Sequence, residues 1–333
     1  GLGGGISSLS KVAVVGPPTH PDADVDYTFG QVEVTRAFVD YAGNCGNISS
    51  AIGPFALDEG LVPARGPETL VRIHNTNTRK LIHARVPVSG GQAAVRGDFV
   101  LPGVPGTGAR LALEFLDPGG AVTGRLLPTG QAREILEVPG LDPITVSLVD
   151  ATNPVVFVRA KDLGLEGTER PETLDARLDL AARLEAIRGA AAERMGLVAD
   201  AAQAATLSPA VPKIAVVAPP APFQTLDGTP VPAAAVDLVA RVVSMGRIHR
   251  AFALTAAMCL AVAARIDGTV VHEASADAPP GEPEGDVRLG HPSGVLAVAA
   301  RVAQDPGMPP VARTVTVYRT ARRLMDGFVL VPV

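Results

Sequence analysis

Two side chains in this sequence have the type and the setting for proton-transfer chemistry, Cys45 and Lys11. Cys45 stands in Gly43-Asn44-Cys45-Gly46-Asn47, a glycine-flanked turn followed at once by residues of helical period, Ile48, Ala51, Ile52 and Phe55. A thiol just ahead of a helix lies in the field of unpaired backbone N–H groups, which favours the thiolate, a competent base. The flanking glycines let a ligand carboxylate come close to the backbone. Most cysteines in tight turns only pack, so the setting and not the residue type carries this inference. Lys11 opens the apolar run Lys11-Val12-Ala13-Val14-Val15, directly after Ser7-Ser8-Leu9-Ser10. A lysine at a strand mouth is usually a solvated gatekeeper. It gains functional weight only with a partner.

The remaining candidates are weaker. Cys259 sits inside Ala256-Ala257-Met258-Cys259-Leu260-Ala261 and reads as core. The histidines (His20, His74, His83, His249, His272, His291) show neither metal-ligand spacing nor an HExxH pattern. His291 lies in a second glycine-bounded turn, Gly290-His291-Pro292-Ser293-Gly294, where it is within reach of a substrate carboxylate. No glycine cluster matches a P-loop or GxGxxG, and no Gly-x-Ser-x-Gly elbow occurs.

Positioning such residues takes more than one core, and 333 residues imply two domains. The first half reads as mostly β: residues 11–15, 25–34, 69–73, 80–88, 110–115, 146–149 and 155–158 are strand candidates, with one helix after Cys45. An amphipathic helix then starts at Pro171, carries Leu174, Leu178, Leu184 and Ile187 on one face, and ends at Gly196. Beyond it we expect a strand over 213–217, helices over 233–244 and 250–264, and strands over 269–273 and 286–289. A helix opening at the Gly290–Gly294 turn and running through Val302 should follow, and strands over 311–318 and 328–331 should finish the chain. Each half would then hold a strand, a glycine-rich turn and an apolar helix, a pseudo-repeat whose helix N-termini face a common cleft.

Composition narrows the partners. A net charge of −5, no Trp and 4% aromatic residues leave no basic stripe or stacking platform for nucleic acid. The longest uncharged apolar stretch, residues 251–264, falls short of the roughly 20 residues that span a bilayer. Residues 1–10 carry no secretory pattern, and two cysteines make no disulfide framework, which suits a reducing cytoplasm.

Several stretches, in order along essentially the whole chain, resemble the PrpF family. They are Gly4-Gly5-Ile6-Ser7-Ser8-Leu9-Ser10-Lys11-Val12, residues 24–32, Gly43–Asn47, Pro128-Thr129-Gly130, residues 153–158, Pro212-Lys213-Ile214-Ala215, Ser244-Met245-Gly246 and Gly290–Gly294. That family includes methylaconitate cis–trans isomerase, methylitaconate isomerase and oxalomesaconate tautomerase. The resemblance implies an α+β fold of two similar diaminopimelate-epimerase-like domains, each a curved, mostly antiparallel sheet around a central helix, with the active site in the cleft between them. We place the domains at residues 1–149 and 150–333, the last strand returning to the first domain. Family members carry several tens of residues ahead of the position of Gly1, including an Arg-Gly-Gly-Thr-Ser-Lys-Gly segment, so the site read here is expected to be incomplete. Leu254-Thr255-Ala256-Ala257 departs from the Gly-Thr-Ala-Ala common in the family, a matter of local packing.

By the same resemblance Lys11 and Cys45 are the catalytic pair. Substrate is expected to meet Ser8, Ser10, Asn44, Gly46, Asn47, Thr129, Asn153, Ser244, Met245, His291, Ser293 and Gly294, with backbone N–H groups of Gly46-Asn47 and Ser293-Gly294 holding carboxylates and a developing enolate. The expected activity is cis–trans or allylic double-bond isomerisation of small unsaturated di- and tricarboxylic acids, with no metal and no cofactor. Expected partners are that polycarboxylate, a second copy of the chain, and an aconitase-like dehydratase through a functional link, with neither nucleic acid nor membrane. The competing readings are an oxalomesaconate-type tautomerase, a racemase or epimerase on the same fold, a non-catalytic partner of an aconitase-like enzyme, and a structural protein. Epimerases of this fold use two cysteines, and the second turn here offers His291 and Ser293 instead.

Overall fold

Polar and apolar residues alternate through the strands over 68–75, 80–89 and 111–116, and burial largely alternates with them. The computed structural model describes residues 10–34, 37–41, 45–244, 246–275, 285–328 and 330. The chain forms two compact units, residues 1–115 with 318–333, and residues 116–317. The first unit contains β1 (Lys11–Gly16), β2 (Val25–Val32), β3 (Val39–Asp40), α1 (Gly46–Asp58), β4 (Glu68–Asn75), β5 (Lys80–Ser89), β6 (Gln92–Ala93) and β7 (Leu111–Leu116). Its main sheet runs β1-β2-β4-β5-β7, antiparallel except where β2 lies parallel to β4. Val71, Ile73, Ile82, Val86, Leu111 and Leu113 point inward and are buried, each contributing about 1.5–3 kcal/mol to folding. Helix α1 lies against that face through Ile52, Ala56 and Leu57. The approach is close at Gly53, where an added Cβ would stand 2.8 Å from Val86 Cγ2 and 3.0 Å from Ala84 Cβ.

The second unit contains β8 (Glu134–Leu136), β9 (Ile144–Ala151), β10 (Asn153–Arg159), α2 (Pro171–Asp175), α3 (Leu178–Arg194), α4 (Ala204–Leu207) and β11 (Lys213–Ala218). It continues with β12 (Phe223–Gln224), β13 (Pro230–Val231), β14 (Leu238–Ser244), β15 (Arg247–Ile248), α5 (Leu254–Ala264) and α6 (Val270–Ala274). Three strands close it: β16 (Asp286–His291), β17 (Gly294–Ala303) and β18 (Val311–Arg319), whose Tyr318 and Arg319 belong with the first unit. The sheet order is β18-β17-β16-β14-β11-β10-β9-β8, with β10/β11 and β14/β16 parallel. Strands β9 and β10 are buried almost end to end, as strands covered on both faces must be. Leu180, Leu184 and Ile187 of α3 join one core with Leu148, Val156 and Val216 of the sheet. Helix α5, apolar on every side, is buried nearly throughout.

The α+β architecture therefore stands, and each unit has a sheet with a central helix. The division between units falls after Phe115, whereas residue 149 lies within β9, whose partners β8 and β10 both belong to the second unit. Four expectations for local structure are corrected. Residues 233–244 form a short 3-10 turn and then strand β14, because an apolar run buried on both faces has no period that distinguishes strand from helix. Residues 269–273 are helical: Thr269 caps α6, its Oγ1 accepting the His272 N–H at 3.0 Å. Residues 294–303 are the strand β17, with Leu296, Val298 and Ala300 inward in strict alternation. The expected strand over 328–331 lies partly outside the described residues, and Phe328 and Leu330 belong to no strand. The expected continuous helix from Pro171 is interrupted between α2 and α3.

Candidate active site

Lys11 is placed by the start of an edge strand. The Ser10 carbonyl accepts from Val32 N–H and Gln31 Nε2, both at 2.9 Å, and Lys11 pairs with Gln31 in the ladder. Gly30 on the neighbouring strand has no side chain because there is no room for one: a Cβ would stand 2.8 Å from Val12 Cγ1 and 2.7 Å from Val39 Cγ1. The chain entering the Cys45 turn is tied down by Asn77, whose Nδ2 donates to the carbonyls of Phe29 and Tyr41, each at 2.8 Å. Its Oδ1 accepts the Phe29 N–H at 2.8 Å.

Cys45 is the N-cap residue of α1, extended at φ −120° and ψ 107°. Its carbonyl accepts the Ser49 N–H at 3.0 Å and the Ser49 hydroxyl at 3.1 Å, starting the helix. Serine, threonine, aspartate or asparagine usually occupies this position and caps the helix. The Cys45 side chain makes no cap hydrogen bond, and the first turn carries no acid. Lys11 Nζ instead reaches Cys45 Sγ at 3.5 Å, across 34 residues of sequence. Both residues are half-buried. An ammonium donor and a sulfur acceptor in contact, at a helix end that attracts anions, can pass protons to and from a bound acid. Cys259, by contrast, is fully buried in α5, its thiol donating to the Val149 carbonyl at 3.4 Å, and burial pushes its pKa up.

Gly46 and Asn47 form the first turn of α1 and so lie beside the pair, as does Ser10 at the strand start. Two further residues of this neighbourhood escaped the sequence reading. Tyr27 is fully buried, its hydroxyl beside that of Ser49. Burial raises its pKa, the nearby Ser49 hydroxyl offsets part of that rise, and the charge of Cys45 adds to it. Arg319, at the end of β18, donates from Nε to Asn47 Oδ1 at 3.4 Å and from Nη1 to the Tyr318 carbonyl at 2.7 Å. Tyr27 carried no signal beyond an alternating strand, and Arg319 none beyond being one basic residue among many.

Ser8, Asn44 and Met245 lie outside the described residues. The other expected site residues belong to the second unit. Thr129 donates its hydroxyl to Glu134, which also takes Arg194 Nε at 2.7 Å. Asn153 opens β10 after a tight hairpin, where Thr152 at φ 61° donates to the Thr255 carbonyl at 2.9 Å. Ser244 Oγ accepts from Lys213 Nζ at 3.2 Å. The Gly290–Gly294 turn joins β16 to β17, so it opens a strand and not the expected helix. The Ser293 N–H is not a helix-end donor: it points to His291 Nδ1 at 3.2 Å, while its hydroxyl donates to the Arg250 carbonyl at 2.6 Å. Gly294 pairs with His291 in the ladder. The central helix of this unit is α5, introduced by Ala253 without a polar cap. Among the described residues, no helix is long and apolar enough to cross a membrane, and no three His, Cys, Asp or Glu side chains are grouped to hold a metal.

A family model described as PrpF protein matches residues 1–332. The chain is 46% identical over 332 residues to 3-methylitaconate isomerase of Eubacterium barkeri, covering 99% of this chain and 85% of that one. It is 40% identical over 339 residues to 2-methyl-aconitate isomerase of Shewanella oneidensis, covering 100% and 84%. Among solved structures, methylitaconate-delta-isomerase superposes with a TM-score of 0.90 at 45% identity, covering 99% of this chain and 83% of that chain.

Proposed function

The chain belongs to the PrpF family, and from that premise we propose that it isomerises small unsaturated polycarboxylic acids of the methylitaconate and methylaconitate type, without a cofactor, using Lys11 and Cys45 as its proton-transfer pair. The observation that carries this reading is the contact of Lys11 Nζ with Cys45 Sγ at the N-cap of α1. The substrates of such isomerases carry a C–H bond flanked by a carboxylate and a carbon–carbon double bond. Loss of that proton leaves an electron pair that spreads over the double bond and carboxylate as a dienolate. Return of a proton at the far carbon shifts the double bond, and rotation before return exchanges cis for trans. Each cycle moves one proton off and one proton on, so an acid and a base close the balance.

One member of the pair takes the proton and the other supplies one, the roles exchanging with the direction of reaction. The free N–H groups of Gly46 and Asn47 at the start of α1 would hold a carboxylate or the dienolate oxygen, where donors fixed in advance cost no reorganisation. A cytoplasmic location belongs to the same reading, since two cysteines in 333 residues make no disulfide framework. The test is incubation of the full chain in D₂O with methylitaconate, methylaconitate, aconitate and oxalomesaconate, followed by NMR. Deuterium should enter the accepting carbon as the double bond moves. Absence of both exchange and isomerisation with all four acids would refute the proposal.

A further inference from the structure

Helix α1 begins in an unusual electrostatic state. Its N-terminus carries about half a positive charge, and acids normally sit in such first turns to balance it. Here the first turn has no acid, and Lys11 lies against the N-cap thiol. Arg319 then adds a second cation, reaching Asn47 of the same turn. It is 8% exposed, so its charge is largely withdrawn from water. Its hydrogen bonds go to an amide oxygen and a backbone carbonyl, and no carboxylate among the described residues pairs with it. Burial alone pulls its pKa down to about 10, with no neighbouring charge to restore it. A guanidinium has five N–H donors in a planar fork, and the two contacts made here leave a terminal nitrogen without a protein acceptor.

The residue is nevertheless held firmly. Four positions further on, Arg323 pairs with Glu59 at the C-cap of α1 and lies 5.9 Å from the centroid of the Phe55 ring. The chain from Arg319 to Arg323 thus accompanies α1 from its first turn to its last and fixes where Arg319 stands. Withdrawing a charge without a counter-ion from water opposes folding, and an anion delivered to the site relieves it.

We propose that Arg319 is the carboxylate anchor of this site: its guanidinium, buried beside the first turn of α1 with no acid to neutralise it, takes one carboxylate of the polyacid whose proton Lys11 and Cys45 move. The inference rests on the functional reading above and assigns Arg319 to binding, since nothing places it at the reacting carbon. Arg–carboxylate recognition is planar and bidentate, so it also sets which end of the acid faces the pair.

The experiment compares the full chain with its Arg319→Met and Arg319→Lys variants. Binding of tricarballylate, a saturated tricarboxylate that cannot isomerise, is measured by calorimetry, alongside turnover and thermal unfolding of the free proteins. Arg319→Met should weaken tricarballylate binding and raise KM by about 10- to 100-fold, the worth of a charge-assisted hydrogen bond, and leave kcat within a few-fold. The free Met variant should unfold at the same temperature as wild type or higher, because an unpaired buried charge has gone. Arg319→Lys should fall between the two in affinity. Undiminished tricarballylate binding by Arg319→Met, beside a working wild type, overturns the anchor alone. A lower unfolding temperature with unchanged KM assigns Arg319 a structural role and overturns it equally. A wild-type chain that neither binds nor turns over any polyacid removes the functional reading and the anchor with it.

Discussion

Removing either half of the Lys11–Cys45 pair should abolish turnover without cost to the fold, and the local structure explains why the two effects separate. Cys45 is an N-cap residue whose thiol makes no cap bond. Serine is among the preferred N-cap residues, and a cap that forms contributes about 0.5–2 kcal/mol. Cys45→Ser should therefore fold at least as stably as wild type while losing the thiol that contacts Lys11. Lys11 sits at the half-buried start of an edge strand with its ladder intact through backbone atoms. Lys11→Ala should change stability by no more than about 0.5 kcal/mol, as surface substitutions generally do. Each variant deletes one proton transfer, a loss of about 10²–10⁴ in kcat, or ~2.7–5.4 kcal/mol of barrier. Independent contributions would multiply to ~10⁴–10⁸ in the double variant. Groups in contact at 3.5 Å and acting on one substrate do not add, so the double variant should be no slower than the slower single one. The assay is initial-rate isomerisation in D₂O with deuterium counted at the accepting carbon, each variant first matched to wild type by circular dichroism. Folded Cys45→Ser or Lys11→Ala turning over within a few-fold of wild type would refute that residue's role, and multiplicative losses would refute the pair as a unit.

Three further outcomes follow from the same structure. Iodoacetamide should modify the half-buried Cys45 well before Cys259, which is fully buried with a raised pKa, and tricarballylate should slow the faster reaction; peptide mapping showing equal rates would contradict this. Gly53→Ala should destabilise the protein by about 1–3 kcal/mol in urea, because the added methyl meets Val86 and Ala84 where α1 touches the sheet; an unchanged midpoint would disprove that contact. For Asp26, burial opposes the charge, but the Thr19 N–H and hydroxyl and the His74 ring outweigh it and hold the pKa below 3.8. A depressed carboxyl pKa means stability fully present above 3.8 and lost as pH falls through the lower, folded value. Asp26→Asn should flatten the acid limb of the stability curve, and an acid limb identical to wild type would exclude the contribution.

Strands β4, β5 and β7 were legible because each has one buried face, so polarity and burial share a period of two. The Cys45 turn was legible because two local signals coincide there, flanking glycines and the onset of helical spacing. Strand β14 was not: with both faces covered, every position from Leu238 to Val242 is buried, and a run of that kind fits a helix equally well. In β17 the alternation of Leu296, Val298 and Ala300 is hidden by Val295, Ala297 and Ala299, small apolar residues on the other face. Arg319 could not be found from sequence at all. Its contact with Asn47 spans 272 positions, and no local pattern encodes which basic residue will end up buried without a counter-charge.

The same correction bears on which chemistry the chain can perform. With the Gly290–Gly294 turn assigned to a β-hairpin, the counterpart of α1 in the second unit is α5, not a helix after residue 294. Helix α1 opens with a thiol at its N-cap, a lysine in contact with it and an arginine on its first turn. Helix α5 opens after Ala253, and the sulfur it carries lies mid-helix, sealed in the core and donating to a backbone carbonyl. Inverting one stereocentre with two thiols takes a second thiol that substrate can reach, and Cys259 is sealed within α5. An isomerase that takes a proton from one carbon and returns one to another asks for less: an acid, a base and a place for carboxylate charge. In our proposal Lys11, Cys45 and the first turn of α1 supply these three.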